Sequence, residues 1–292
     1  MYNLTMTKPK ISVVIPVYNE EYTIENTIKK IKEVMKKNGY EYEIIIINDG
    51  STDNSLKILE SLKGIRLINH VHNNGYGASL KDGIENSKYD FILITDADST
   101  YPIEDIPKFA NHLDKFDMVV GDRTNARNIP FQKKIAKFII TKLSNHLTKR
   151  KIPDINSGFR IFRRDLAMKF FHLFPDGFSF TTTITLAFLT NNYSVKYIPV
   201  QYFKRRGKSK IKSFDFIVFL ELILRVMIYF KPLRIFSLIS FMLFLLGIII
   251  FLYSLFFLDK VLDITITIIL LTSLQIFILG LIADLIIKRS AR

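Results

Sequence analysis

The sequence predicts an α/β domain on a largely parallel sheet, followed by two transmembrane α-helices. Three observations predict it. From Ile11 to Thr95, apolar β-branched runs alternate with segments of helical spacing in a β-α-β-α-β-α-β order, and that alternation builds a parallel sheet covered by helices. Two of the runs end abruptly in carboxylates, at Asn48-Asp49-Gly50-Ser51 and at Asp96-Ala97-Asp98. Near the C-terminus, Ile235 to Leu258 and Ile264 to Ala283 carry no charged residue, and each has about the 20 residues that a hydrocarbon core requires.

Ile11 to Val17 reads as a strand that Pro16 stops, and Ile24, Ile28, Ile31 and Met35 then recur at helical spacing until Gly39 ends the helix. Tyr42 to Ile47 is a second buried strand that runs into the Asn48 to Asp53 loop, and Ser55 to Leu62 is a second helix. Ile65 to His70 is a third strand. Asn73-Asn74-Gly75-Tyr76-Gly77 then enters a helix, where backbone N–H groups would favour phosphate, although a plain tight turn reads equally well. Phe91 to Thr95 is the fourth strand. Beyond it, Tyr101-Pro102 breaks the chain, Ile103 to Leu113 is helical, and Asp117 to Gly121 is a short strand ending at Asp122-Arg123. Asn156 to Arg164 turns into a short strand with three arginines, Asp176 to Leu189 enters a Thr-rich helix, and Tyr193 to Val200 is a strand.

The fourth strand carries the sharpest chemistry. Residues two apart on a strand share a face, so Asp96 and Asp98 converge past its end. Paired carboxylates repel unless a cation lies between them, and hard oxygen ligands suit Mg²⁺ or Mn²⁺. Ligands of open α/β sheets bind outside the carboxyl ends of the strands. A polar turn whose aspartates cap the next helix is the plainer alternative.

Composition narrows the partners. Lys+Arg 41 against Asp+Glu 27 gives a net charge of +14, which favours an anionic partner. No nucleic-acid motif is present, and the basic residues flank membrane-seeking segments. Cysteine is absent, so disulfides, thiolate zinc sites and cysteine nucleophiles are excluded. No apolar signal-peptide core follows the polar stretch Met1 to Lys10.

Two basic segments prepare the membrane assignment. In Ile129 to Arg150 an apolar stripe of Ile135, Phe138, Ile139, Leu143 and Leu147 is ringed by lysines, the pattern of a helix on an anionic bilayer or of one packed on the domain. Lys204-Arg205-Arg206-Gly207-Lys208-Ser209-Lys210 is a dense basic loop suited to phosphates. Phe214 to Phe230 is a second amphipathic helix, with Glu221 and Arg225 at i,i+4. Arg225, Lys231 and Arg234 precede the first span, and Lys288, Arg289 and Arg292 follow the second. The positive-inside rule then places the N-terminal domain and the C-terminal tail of a multi-pass cell-membrane protein in the cytoplasm. Gly247 and Gly280 leave open whether the spans stand alone or pair with other copies as a homo-oligomer.

From Ile11 to about Lys212 the sequence resembles family 2 glycosyltransferases of the GT-A (Rossmann-like) fold, within them the dolichyl/polyprenyl-phosphate sugar synthases. The resemblance is carried by Pro16-Val17-Tyr18-Asn19-Glu20, Asn48-Asp49-Gly50-Ser51, Asp96-Ala97-Asp98, Ser157-Gly158-Phe159-Arg160 and Gly207-Lys208-Ser209-Lys210, in that order. It implies a nucleotide-sugar-binding catalytic domain over 1–212, an interfacial helix over 213–232 and a two-helix anchor over 233–292. It implies that Pro16, Tyr18, Glu20, Ile47 and Asp49 hold the nucleoside, and that Asp96 and Asp98 hold donor and metal with Ala97 in contact. Arg123, Arg205 and Lys210 would bind phosphates, with Asp98, Arg123 and Arg205 closest to the chemistry. Lys134, Ser157, Arg160 and Arg123 would meet the acceptor phosphate, and Thr100 would join Asp96 and Asp98 at the metal. The implied reaction is inverting transfer from a UDP- or GDP-sugar to a dolichyl or polyprenyl phosphate at the membrane, feeding glycan assembly such as protein glycosylation. The sequence departs from the family pattern at Asn48, where Asp is common, and in Phe178 to Thr183, which lacks a common acidic residue. An acceptor phosphate that is already ionised tolerates that gap, because positioning and charge neutralisation remain. A polysaccharide synthase would need more spans for a channel, and a non-catalytic anion-binding protein would not need Asp96 and Asp98 intact.

Overall fold

The computed structural model describes residues 8–123, 142, 144–145, 148–177, 179–203, 228–229, 231–258 and 262–290. The chain divides into two compact units, Met1–Phe219 and Leu220–Arg292. In the first, the elements run β1 (Ile11–Val17), α1 (Ile24–Lys37), β2 (Tyr42–Asp49), α2 (Ser55–Ser61), β3 (Arg66–His70), α3 (Tyr76–Glu85), β4 (Phe91–Ile94), α4 (Ile106–Ala110), β5 (Met118–Asp122), β6 (Arg160–Arg163), α5 (Arg164–Lys169), α6 (Phe180–Thr190) and β7 (Val195–Pro199).

The strands form one seven-stranded sheet in the order β3-β2-β1-β4-β6-β5-β7. β1, β2, β3 and β4 pair in parallel, as their helical crossovers require. β6 departs from that expectation and runs antiparallel to both β4 and β5. β7 returns parallel to β5. Sequence alternation sets the two faces. Ile11, Val13 and Ile15 of β1 with Ile44 and Ile46 of β2 join the core that holds Ile24, Ile28 and Ile31 of α1. Val14, Ile45 and Ile47 face the opposite core with Leu80 and Ile84 of α3 and Phe180, Ile184 and Phe188 of α6. Each fully buried Ile or Phe contributes about 1.5–3 kcal/mol relative to an exposed one.

Two local features hold the layers close. A Cβ on Gly83 would stand 2.2 Å from Val14 Cγ1 and 2.9 Å from Ile47 Cδ1, so α3 lies on the sheet only because residue 83 has no side chain. Pro16 does not stop β1, which continues to Val17. Pairing with β4 ends at Val14 and Ile94, whereas β2 pairs through Val17, so Pro16 lies past the shorter neighbour and its missing N–H is tolerated there.

The second unit contains α7 (Pro232–Phe257) and α8 (Asp263–Ser290), both long and apolar enough to cross a membrane. The helices are antiparallel. Gly280 lies against Phe236, and Gly247 against Leu270. Between these contacts Ser240 Oγ donates to the Ser273 carbonyl at 2.8 Å and Ser273 Oγ to the Ser240 carbonyl at 3.1 Å. Both glycines therefore serve the hairpin within the chain. Most other side chains of the two helices face outward. The amphipathic segments expected over 129–150 and 213–232 lie largely outside the described residues.

Candidate active site

The carboxyl ends of β1 and β2 deliver two loops that are stitched into one surface. Asn19, in the left-handed region at φ 53°, accepts at Oδ1 from the N–H of Thr52 at 2.7 Å and of Asp53 at 3.3 Å. The Asn19 N–H donates to Ser51 Oγ and the Glu20 N–H to Ser55 Oγ, at 3.0 and 2.8 Å. Asp53 Oδ2 accepts from the Glu21 N–H at 3.2 Å. Pro16 pairs with Ile47 in register at the base of this surface, and Tyr18 follows, half-buried. The Ile47 side chain is not at the surface. It is fully buried under α3, because strand alternation turns it to the face that α3 covers, so it supports the site from below.

Asp49, expected at the nucleoside, makes its contacts within the domain. Its Oδ1 accepts from the Asn74 N–H at 2.8 Å and its Oδ2 from the Gly75 N–H at 3.0 Å, while His70 Nδ1 lies 2.9 Å from Oδ1. The carboxylate is 3% exposed and shapes the 73–75 loop. The N-terminus of α3 is not open to phosphate either. The Gly77 and Ala78 N–H groups donate to the Asp176 carbonyl at 2.7 and 3.0 Å. A Cβ on Gly77 would stand 2.0 Å from the Pro175 carbonyl oxygen, so the 175–177 loop closes over the helix end.

β4 ends at Ile94, so the acidic pair belongs to the turn beyond the strand and not to one of its faces. Asp96 is half-buried and Asp98 is buried. The Tyr76 hydroxyl donates to Asp96 Oδ1 at 3.1 Å. Burial and the nearby Asp96 carboxylate keep that phenol protonated, far above its ordinary range. A Cβ on Gly158 would stand 2.9 and 3.0 Å from the two Asp96 oxygens, so a glycine there leaves the carboxylate room. The Thr100 N–H and hydroxyl both donate to Asp98 Oδ1, at 3.1 and 2.6 Å. Thr100, expected at the metal, is 0% exposed and orients Asp98. Ala97 is buried, and its carbonyl accepts from Thr27 Oγ1 at 3.3 Å.

Among the described residues no group of three or more His, Cys, Asp or Glu side chains gathers as a complete metal cage. Asp96 and Asp98 nevertheless fit a hard divalent cation. Mg²⁺ is commonly held by one or two carboxylates, with phosphate oxygens and water completing the shell.

Beyond the acidic pair lies a fixed cation. Arg123 donates from Nε to Asp154 Oδ2 at 2.7 Å, from Nη2 to Asp154 Oδ1 at 3.1 Å and from Nη1 to the Tyr101 hydroxyl at 3.2 Å. Its guanidinium carbon is 5.3 Å from the centre of the Tyr202 ring. Burial opposes its charge, but Tyr101 and Asp154 outweigh it and raise its pKa. Burial likewise opposes the Asp154 charge, and Arg123 overcomes it and lowers the pKa of Asp154. The Tyr101 hydroxyl also accepts from the Gly158 N–H at 2.9 Å. One phenol therefore ties the cation to the glycine that packs on Asp96.

Ser157 and Arg160, expected at the acceptor phosphate, are both 0% exposed. The Arg160 guanidinium donates to the Ser157 carbonyl from Nε at 3.0 Å and again from Nη2, and from Nη1 to the Thr181 carbonyl and Thr185 Oγ1 at 3.0 and 2.9 Å. Burial lowers its pKa. It pins the 155–158 segment to α6. Lys134, Arg205 and Lys210, with the whole basic loop 204–210, lie outside the described residues. Sequence reasoning missed Tyr76, Tyr101, Asp154 and His70. Each meets its partner only through long-range folding, and no spacing marks them.

Comparison with known proteins follows the same lines. Residues 12–171 match the family described as Glycosyl transferase family 2, and residues 231–288 match the GtrB C-terminal hairpin. The undecaprenyl-phosphate 4-deoxy-4-formamido-L-arabinose transferase of Proteus mirabilis is 33% identical over 163 residues, 54% of this chain and 50% of that protein. The chain thus spans about half the length of this curated relative. Glucosyl-3-phosphoglycerate synthase from Mycobacterium tuberculosis, in complex with UDP, superposes with TM-score 0.58 at 18% identity, over 75% of this chain and 80% of that one. The same synthase with Mn²⁺, UDP-glucose and phosphoglyceric acid gives 0.54 at 18% identity, over 69% and 73%. These likenesses show the GT-A, Rossmann-like fold. On the extent of the sequence match, which takes in more than half of the chain, the protein belongs to glycosyl transferase family 2.

Proposed function

We propose that the protein is an inverting, membrane-anchored glycosyltransferase that moves a sugar from a UDP- or GDP-sugar to a polyprenyl or dolichyl phosphate. The observation that carries the proposal is the acidic turn past β4 with a cation fixed nearby. Asp96 is set by Tyr76 and Gly158, Asp98 is set by Thr100, and Tyr101 links Gly158 to Arg123. The relative from Proteus mirabilis, named for an undecaprenyl-phosphate acceptor, supports the lipid phosphate. The hairpin of α7 and α8 supports anchoring in a bilayer.

In this reading the stitched surface of residues 19–21 and 51–55 receives the nucleoside, and the Asp96 turn receives the diphosphate. Asp96 and Asp98 would hold Mg²⁺ or Mn²⁺, which as a Lewis acid stabilises the leaving nucleoside diphosphate. An acceptor phosphate oxygen forms the new bond to the anomeric carbon. The bond from that carbon to the diphosphate oxygen breaks, and its electron pair leaves with the nucleoside diphosphate. A single in-line displacement inverts the carbon. The acceptor is an anion already, so no side chain has to take its proton. Arg123 is held rigidly by Asp154 and Tyr101, so it neutralises phosphate charge with little reorganisation. Lys134, Arg205 and Lys210 would add positive charge for the phosphates. We assign the catalytic domain to 1–212, the interfacial helix to 213–232 and the anchor to 233–292, with both ends cytoplasmic by the positive-inside rule.

The test is transfer from radiolabelled UDP- and GDP-sugars to polyprenyl phosphate in detergent, with Mg²⁺ or Mn²⁺ and with EDTA, for wild type and Asp98→Ala. The expected result is a metal-dependent glycolipid from one donor, lost in the variant. No glycolipid from any donor, with the protein folded, refutes the lipid-phosphate acceptor.

A further inference from the structure

We infer that His70 is a positioning residue for the donor site: as an imidazolium bridging Asp49 and Asp82, it holds the 73–75 loop and the start of α3, and through them Tyr76 against Asp96. The inference rests on the nucleotide-donor reading above. His70 ends the edge strand β3, and its side chain is only 8% exposed. Nδ1 is 2.9 Å from Asp49 Oδ1 and Nε2 is 2.7 Å from Asp82 Oδ2. A neutral imidazole has one N–H and can satisfy only one of two ionised carboxylates. Its other nitrogen would then turn a lone pair toward an oxyanion. The charged ring donates to both.

The two carboxylates lead to different parts of the site. Asp49 carries the Asn74 and Gly75 N–H groups, and Gly75 is at φ 104° with the Asp176 carbonyl packed so close that a Cβ would meet it at 2.5 Å. Tyr76 follows directly and bonds Asp96. Asp82 lies on the same helix, so the ring clamps β3 to α3 at a second point. Asp49 from β2 and Asp82 from α3 are the titratable groups that act on His70. Arg66, on the same strand, is turned to Asn86, and Lys81, next to Asp82, pairs with Asp176. Burial opposes the charge, the two carboxylates outweigh it, and the pKa of His70 is raised above its ordinary 6.5. The clamp is therefore complete below about pH 6.5 and is lost as the pH climbs through the raised value.

The experiment is a nitrogen-15 NMR titration of the His70 ring in the full chain in detergent. It is paired with calorimetric titration of UDP and of GDP, each with Mg²⁺, from pH 6 to pH 9. The wild type is expected to titrate above 6.5 and to bind its nucleotide about tenfold more weakly once the ring is neutral, the loss of roughly one charge-assisted hydrogen bond. His70→Gln is expected to bind weakly across the whole range. Asp82→Asn is the discriminating variant. An asparagine amide can donate to a neutral Nε2 while Nδ1–H still serves Asp49, so the pH dependence should flatten and the ring pKa should fall. Titration of His70 at or below 6.5, wild-type affinity in His70→Gln, or an unchanged pH profile in Asp82→Asn overturns the inference. Failure of the wild type to bind either nucleotide at pH 6 overturns the donor reading and this inference with it, whereas tight binding with a flat wild-type profile overturns this inference alone.

Discussion

Replacing Arg160 tests whether a buried cation organises the site from behind. The residue is 0% exposed, and its guanidinium reaches the Ser157 carbonyl, the Thr181 carbonyl and Thr185 Oγ1. In Arg160→Leu the Thr181 carbonyl keeps the Thr185 hydroxyl at 2.7 Å, so the Ser157 carbonyl loses most. Losing a hydrogen bond to a charged donor costs about 1.5–3 kcal/mol, and orphaning a buried acceptor costs about 1–3 kcal/mol. Removing a buried charge offsets part of this, which leaves an expected loss of about 2–4 kcal/mol. A domain of this size shifts by about 2–4 °C per kcal/mol, so Tm should fall by roughly 4–16 °C. The chain has no Trp, so the melt is followed by far-ultraviolet circular dichroism on the full protein in detergent. Hydrogen exchange at 155–160 should rise in parallel, because those backbone groups lose their anchor. Arg160→Lys keeps the charge but loses the planar fork, and it should fall between the two. An Arg160→Leu variant that melts within about 1 °C of wild type refutes the reasoning.

Three further outcomes follow from the same geometry. Gly158→Ala would press a methyl group against Asp96, at 2.9 and 3.0 Å from its oxygens, and is expected to lower metal-dependent transfer by about 100-fold with little change in Tm, measured by glycolipid formation and by melting. Gly83→Ala would drive a methyl group to 2.2 Å from Val14 Cγ1; overpacking of about 1–3 kcal/mol outweighs the roughly 1 kcal/mol that alanine returns in helix propensity, so chemical denaturation should show a less stable protein. The lowered pKa of Asp154 gives its pair with Arg123 a stabilising effect that is present above about pH 3.8 and is lost as pH falls through the depressed value, so Asp154→Asn should flatten the acid limb of a Tm-against-pH curve.

Much of the fold is legible in local pattern. The alternation Ile44, Ile46 against Ile45, Ile47 assigns β2 to both cores at once, and the helical spacing of Ile24, Ile28, Ile31 and Met35 assigns α1 to one of them. Hydrophobic burial acts residue by residue, so periodicity records it. β6 shows where pattern stops. Its four residues, Arg160–Arg163, read as a strand, but their direction between β4 and β5 depends on where the intervening chain returns. The site divides in the same way. Asp96 and Asp98 are visible as carboxylates that interrupt an apolar run. Asp49 is visible for the same reason, yet it faces His70 and two backbone amides, because its neighbours come from β3 and the loop beyond it.

By itself the sequence determined that strands and helices alternate, that acidic turns lie at strand ends, and that two charge-free stretches have the length of a bilayer core, because each property depends on residues close together in the chain. Only the tertiary structure decided which polar groups meet: Tyr76 on Asp96, Tyr101 between Arg123 and Gly158, Arg160 turned inward, and His70 between two carboxylates. Those pairings join residues far apart in sequence, and a hydrogen bond depends on distance and direction, which residue spacing does not encode.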